Sequence, residues 1–283
     1  MIKQGDTIGI IALSGACEQE KVELAQANIE KLGYKIKLSK NVYDKNMYLA
    51  GSDDDKLANL YDFFEDDNIK LILNARGGFG AIHLINKINY EIVRQNPKPF
   101  CGFSDVTALL LMFYKKANLI TYHGPMAISD YADDFSLDNF QKMIAVINGV
   151  EQELIAKKVY KSGNASGKIW GGNLSTVVSL CGQDFIPDED FIFFTEDLNE
   201  NVYKIDKMFS QLFNIEQFKD KCKGIILGDF LNVDRQDWLE KFFSSLPVIT
   251  LSGFEITHNL KKETIPIGKS CYIENEKLII RNL

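Results

Sequence analysis

Between residues 7 and 122, short apolar runs alternate with helical periods, and this alternation constrains the fold more than any other feature of the chain. Strand-like segments at Thr7 to Leu13, Tyr34 to Leu38, Ile69 to Leu73 and Leu119 to Tyr122 are separated by helix-like periods at Glu20 to Leu32, Asp53 to Phe64 and Val106 to Tyr114. Such a pattern implies right-handed βαβ units and a parallel sheet. Ligands of parallel sheets bind beyond the carboxyl ends of the strands. Two segments fall at that edge: the loop Arg76-Gly77-Gly78-Phe79-Gly80, and Gly102-Phe103-Ser104-Asp105.

With 283 residues, 46% of them hydrophobic, the chain is long enough for two domains of ordinary size. The expected fold class is α/β. Residues 1–135 form a parallel-sheet, flavodoxin-like domain. The more polar, less regular stretch 136–165, preceded by Asp133-Asp134, carries the linker, and residues 166–283 form a smaller α+β domain. The runs Phe191 to Phe194, Gly224 to Leu227 and Leu278 to Ile280 read as its strands, and Val202 to Phe213 and Asp237 to Phe243 as its helices. A ligand site is expected in the cleft between the domains. No internal repeat is visible, so solenoids are set aside.

Thirty-two basic residues stand against 39 acidic ones, a net charge of -7, and the basic residues are scattered. Nucleic acid is therefore not the expected partner. The start of the chain lacks the apolar core of a signal peptide, and no later apolar run is long enough to span a bilayer. A soluble, cytoplasmic protein with no membrane association is expected. Cys17, Cys101, Cys181, Cys222 and Cys271 are odd in number and widely spaced, as befits reduced structural cysteines rather than disulfides or zinc ligands.

Ser104 follows an apolar run and precedes a helical stretch. A small residue before a serine at such a junction lets the chain turn sharply, which exposes the hydroxyl and aims the next N–H at a developing oxyanion. Asp105 supplies that N–H, although Asp stands where the second glycine of G-x-S-x-G belongs. A serine nucleophile needs a base, and the histidines are His83, His123 and His258. His83 reads as a packed or half-exposed residue; spacing alone does not choose between His123 and His258. Glu196, closing the strand that begins at Phe191, is the best carboxylate to orient the base, with Asp197, Glu200 and Asp206 as competitors. The glycines of residues 77–80 match neither dinucleotide nor P-loop spacing. Their N–H groups suit half of an oxyanion hole, and Arg76 suits either a substrate carboxylate or a structural ion pair.

Taken together these segments resemble the LD-carboxypeptidases, the serine peptidase family that also includes the microcin C self-immunity peptidases. The resemblance spans nearly the whole chain. It rests on Ala75 to Ala81, Gly102 to Thr107, His123-Gly124-Pro125, Gly171-Gly172-Asn173-Leu174, Thr195-Glu196-Asp197, Tyr203-Lys204-Ile205-Asp206, and His258 followed by Ile265-Pro266-Ile267-Gly268. It implies Ser104 as nucleophile, His258 as base, Glu196 as orienting carboxylate, and the backbone N–H groups of Gly78 and Asp105 as oxyanion hole. Arg76, Gly77, His123 and Trp170 become candidates for binding substrate, with His123 alternatively a structural residue, and the glycine turn at 171–174 a candidate for holding the domains together. Departures are Ala12-Leu13-Ser14-Gly15 after the first strand, Thr257 rather than glycine before the histidine, and Lys204 and Lys207 where arginines are frequent. None removes a triad member.

The resemblance further implies hydrolysis of an L,D amide, typically release of the terminal D-alanine of cytoplasmic murein tetrapeptide in cell-wall recycling, with no metal or organic cofactor, by a homodimer. Two alternatives accompany it. One is an immunity-type peptidase acting on a peptidyl or aminoacyl nucleotide antibiotic, with Trp170 as platform for the base; the other is a small-molecule sensor without chemistry.

Overall fold

The computed structural model describes residues 1–133 and 136–282; Asp134, Phe135 and Leu283 lie outside the described residues. Strands β1 (Thr7–Ile11), β2 (Lys35–Leu38), β3 (Ile69–Asn74), β4 (Phe100–Gly102) and β5 (Thr121–His123) are all parallel. Their spatial order is 2-1-3-4-5, the flavodoxin-like arrangement. Helices α1 (Gln19–Glu30), α2 (Asp53–Glu65), α3 (Tyr90–Gln95), α4 (Thr107–Ala117), α5 (Ala127–Tyr131) and α6 (Leu137–Ile147) accompany this sheet. One apolar cluster joins Ile8, Ile10, Leu71 and Leu73 to α1, α5 and α6; another joins Ile11, Ile69 and Ile72 to α2, α3 and α4. The central strands β1 and β3 are thus buried on both faces and read as largely apolar runs, whereas the edge strand β2 alternates lysine with Ile36 and Leu38 and is at most half-buried. Local chemistry supports the helices. Ser52 and Asp55 form a capping box at the start of α2, where three aspartates face the positive end of the helix, worth roughly 1 kcal/mol.

The second lobe is an eight-stranded mixed sheet. Its strands are β6 (Gln152–Ile155), β7 (Lys158–Lys161), β8 (Ala165–Asn173), β9 (Phe191–Leu198), β10 (Cys222–Leu231) and β11 (Ile249–Ser252), then, after an excursion, β13 (Ser270–Glu274) and β14 (Lys277–Arg281). The excursion is β12 (Ile265–Ile267), which adds antiparallel to β5 and makes the first sheet six-stranded. The order runs β6-β14-β13-β8-β9-β10-β11-β7, so β6 and β7, only two residues apart in the chain, lie at opposite edges. The sheet must therefore curl until its edges nearly meet. Residues 136–165, expected to carry the linker, hold α6, packed on the first lobe, and these two edge strands. The glycine segment at 171–174, expected as a turn, is instead the end of β8, leading into α7 (Leu174–Ser179), while α8 (Val202–Phe213) follows β9.

Helix α4 explains how the lobes join. Nine of its eleven residues are buried, because it is covered by its own sheet on one side and by the second lobe on the other. Ile169 and Trp170 of β8 share one apolar cluster with Leu109, Leu110 and Phe113 of α4. At the amino end of α4, Thr107 Oγ1 accepts the Asn173 N–H at 3.2 Å. This contact brings the carboxyl end of β8 against the segment that follows Ser104.

Candidate active site

The strand β4 ends in a forced bend. A Cβ on Gly102 would lie 2.8 Å from Val106 Cγ1, so only glycine lets the chain fold back that closely. The carbonyl just before it, of Cys101, accepts a bond from buried Asn74 Nδ2 at 2.8 Å. Two residues on, Ser104 sits at φ +60°, the left-handed region that non-glycine residues seldom occupy. The strain, about 1–3 kcal/mol, is the mark of an elbow that pushes a side chain out of the sheet edge.

The glycine loop after β3 lies against this elbow. A Cβ on Gly77 would fall 3.1 Å from Ser104 Cβ, 3.2 Å from its Oγ and 3.6 Å from the Asp105 nitrogen. Gly77 also accepts the Gly15 N–H at 3.2 Å, so the loops after β1, β3 and β4 converge. Asp105, anomalous for a G-x-S-x-G elbow, braces the loop: its carboxylate accepts the Ala81 N–H at 2.9 Å and pins the far end of the glycine segment. One residue thus fixes the loop through its side chain and presents its own N–H beside Ser104.

The other half of the site comes from the second lobe. Glu196 lies near the end of β9, opposite Asn173 of β8, and is fully buried. Its Oε2 meets His258 Nδ1 at 2.6 Å. With Nδ1–H donating to the carboxylate, Nε2 keeps its lone pair; it is buried and has no hydrogen-bond partner among the described residues. His258 belongs to no strand. Its loop is set by a bulge in β10, where one extra residue separates Leu227 from Phe230 against β9. Asp229 N–H donates to the Ile256 carbonyl at 2.9 Å, and a Cβ on Gly228 would come within 2.1 Å of that oxygen. The missing side chain lets the loop settle on the bulge, which carries His258 over Glu196. Thr257 Oγ1 accepts the Asn259 N–H at 3.0 Å and shapes the same turn.

The two halves meet at Phe103, the residue before Ser104. Its ring packs edge-on to His258 with centres 4.9 Å apart. Serine elbow, glycine loop and imidazole are therefore brought together through Phe103 where the lobes meet, an arrangement chemically suited to a nucleophile with an oriented base. Hydrogen bonds between such groups are often unmade without substrate.

The competing carboxylates are otherwise engaged. Asp197 accepts from Asn173 Nδ2, Ser175 N–H and Leu198 N–H, and burial, against the pull of those donors, raises its pKa to about 6. Glu200 pairs with Lys204 at 3.3 Å, and Asp206 accepts from Ser210.

Of the candidate binding residues, Trp170 needs correction, and His123 lies in the interior, as its structural alternative expects. Trp170 is fully buried, packed between Phe185, Phe191 and Phe193 with ring centres 5.0–5.7 Å away, so no face of it is open to a ligand. His123 is also buried, beneath the site between Phe103 and Phe194. Burial first, and the neighbouring His258 and Lys262 next, push its pKa down to about 3, so it stays neutral. Arg76 does line a cleft of about 510 Å³ with Gly15, Lys45, Tyr48, Gly78 and Phe79, its Nη1 donating to the Ala16 carbonyl at 3.2 Å.

Sequence reasoning missed the bracing of the glycine loop by Asp105, the contact of Asn173 with Thr107, the bulge at Gly228 and a buried ion pair between Lys262 and Asp130. Only the departure of Asp105 from the glycine pattern carried a signal in the sequence.

Comparison with known proteins identifies the family. The family described as LD-carboxypeptidase matches in both its parts, the N-terminal domain at residues 8–124 and the C-terminal domain at residues 166–273. The chain is 33% identical to a probable murein peptide carboxypeptidase of Bacillus subtilis (strain 168), over 94% of this chain and 88% of that one. It is 26% identical to the microcin C7 self-immunity protein MccF of Escherichia coli, over 95% and 91%. The crystal structure of an MccF-like protein from Bacillus anthracis str. Ames superposes with a TM-score of 0.90, covering 99% of this chain and 98% of that one at 24% identity, a likeness of fold.

Proposed function

The chain belongs to the LD-carboxypeptidase family of serine peptidases and is a carboxypeptidase-type hydrolase; from that premise we propose that it removes the terminal D-alanine of murein tetrapeptide by cleaving an L,D amide. Ser104 Oγ attacks the carbonyl while His258 Nε2 takes its proton. Glu196 holds the imidazole in the required tautomer and stabilises the imidazolium, and the N–H groups of Gly78 and Asp105 receive the oxyanion. The imidazolium then protonates the leaving amine, and water hydrolyses the acyl-enzyme with His258 again as base. Arg76 is suited to the terminal carboxylate, for which a planar guanidinium is the apt partner. The observation that carries this reading is the 2.6 Å contact of His258 with Glu196, with Nε2 left unpartnered, beside a serine held at φ +60°.

Under the same reading the enzyme works in the cytoplasm, in cell-wall recycling, as an isologous homodimer, the commonest symmetric assembly. Among the described residues no helix is long and apolar enough to cross a membrane.

The test is mass-spectrometric detection of D-alanine released from purified murein tetrapeptide, beside Ser104→Ala and a tetrapeptide ending in L-alanine. Release from the D-ended peptide alone, abolished in the variant, is the expected result. No release by folded protein would sink the murein assignment. A specific observation keeps the nucleotide-peptide reading next in line: Tyr48 and Phe79, both exposed, stand edge-to-face 5.9 Å apart on the rim of the Arg76 cleft, where a base can stack. Cleavage of an aminoacyl sulfamoyl nucleoside, with tetrapeptide untouched, would select it; binding of either compound without turnover would select the sensor.

A further inference from the structure

The loop that carries His258 rises from the second lobe, yet its far end is fastened to the first. Lys262, four residues beyond His258, is only 4% exposed, and its Nζ lies 2.6 Å from Asp130 Oδ1 in α5. The same ammonium stands 3.9 Å from the centre of the Phe103 ring. Asp130 is itself held, its Oδ2 accepting the Met126 N–H at 2.8 Å. Asn139, just inside α6, adds a bond from Nδ2 to the Leu260 carbonyl. The chain of contact thus runs from Asp130 to Lys262 to the Phe103 face, from the Phe103 ring to the steeply inclined ring of His258, and along the backbone to Ser104.

Two charges taken out of water this completely add little stability, and apolar residues of similar volume hold two segments together as well or better. Apolar packing does not, however, fix direction. An ammonium pinned by a carboxylate and aimed at a ring face sets both the distance and the tilt of that ring. We propose that Lys262 and Asp130 form a clamp that orients Phe103, and through it the imidazole of His258, relative to Ser104, keeping base and nucleophile from different lobes in register. The inference rests on the reading of those two residues as base and nucleophile. Lys262 acts through Phe103 and is a positioning residue, not a catalytic one.

The experiment uses the full chain in wild-type form, as Lys262→Arg, and as the double variant Lys262→Met with Asp130→Leu, which leaves no charge buried alone. Two quantities are read: kcat and KM on murein tetrapeptide, and the far-downfield proton NMR resonance of His258 Nδ1–H, which needs no substrate. Expected are a kcat lower on the order of 10- to 100-fold in the double variant, the loss typical of a misplaced group, KM little changed, and a broadened or absent resonance. Lys262→Arg should restore both, since guanidinium pairs with carboxylate and stacks on a ring. A folded double variant with wild-type kcat and resonance, or one that changes KM alone, overturns the clamp. If the double variant does not fold, Phe103→Leu takes its place: it removes the ring and spares the ion pair, and an intact resonance and kcat there are equally fatal. If wild-type protein cleaves no tetrapeptide, the substrate reading fails, and the resonance alone decides about Lys262.

Discussion

The serine half of the site and the histidine half are built over different spans of chain. Gly102, Phe103, Ser104 and Asp105 are consecutive; the bend and the strained φ are properties of one short segment, completed by Asn74 of the neighbouring strand and Gly77 of the loop that follows it. Glu196 and His258 are 62 residues apart, and their contact depends on a bulge in β10 and on a loop pinned at both ends. A local device tolerates changes elsewhere in the fold, whereas an assembled one inherits the error of every part that positions it. Damage at a distance should therefore reach His258 more readily than Ser104.

The largest effects test whether the halves act as one unit. Ser104→Ala should lower kcat on the order of 10⁶-fold, and Glu196→Gln on the order of 10⁴-fold, since the wrong tautomer then predominates at His258. Single-turnover measurements on tetrapeptide check both, and the double variant should be no worse than Ser104→Ala alone. Additive losses would mean that the carboxylate works apart from the serine.

Next come two glycine changes that set distant damage against local damage. In Gly228→Ala the new Cβ meets the Ile256 carbonyl at 2.1 Å, a clash with backbone that only a shift of the His258 loop relieves. A loss of about 100-fold in kcat is expected, together with a disturbed Nδ1–H resonance in a folded protein. In Gly77→Ala the Cβ lies 3.1–3.2 Å from Ser104, tight enough to nudge the hydroxyl by a few tenths of an ångström. About a tenfold loss is expected, with the resonance intact. Equal losses and equal spectra would erase the distinction between the halves.

The smallest effect concerns the bracing beneath Glu196. Burial raises the Asp197 pKa from 3.8 to about 6, so between those values the folded state holds more protons than the unfolded one. Stability must then fall as pH rises through this window, by at most about 3 kcal/mol for roughly two units. Asp197→Asn should remove that component. Denaturant unfolding of both proteins from pH 4 to 7 checks it, and a variant whose stability difference from wild type is constant with pH would refute it.

How much of this was legible follows from the same contrast. The parallel order of β1 to β5, the helix from Leu137 to Ile147 and the turn at Ser104 were readable because period and composition act over a few residues. The strand Ala165–Asn173 was not, since its glycines read as a turn; they are there because Phe194 and Thr107 press against the backbone. Trp170 beside a domain junction reads as a platform or, more often, as packing, and its aromatic neighbours decide for packing. The choice of His258 over His123 came from family resemblance, because their spacing from Ser104 carries no three-dimensional information. Lys262, between Lys261 and Glu263, reads as part of a solvated surface until Asp130 and Phe103 are placed around it.

By itself, then, the sequence determined what lies within reach of a few bonds: the βαβ alternation, the small residue before Ser104, and the run of motifs that marks the family. Tertiary structure alone decided that a bulge beside Gly228 carries His258 over Glu196, that Trp170 and His123 are buried, and that Asp130 and Lys262 join the lobes. Propensity and period are local quantities that survive in one dimension. Burial and electrostatic pairing depend on distances between residues far apart in the chain, and only the folded chain sets those distances.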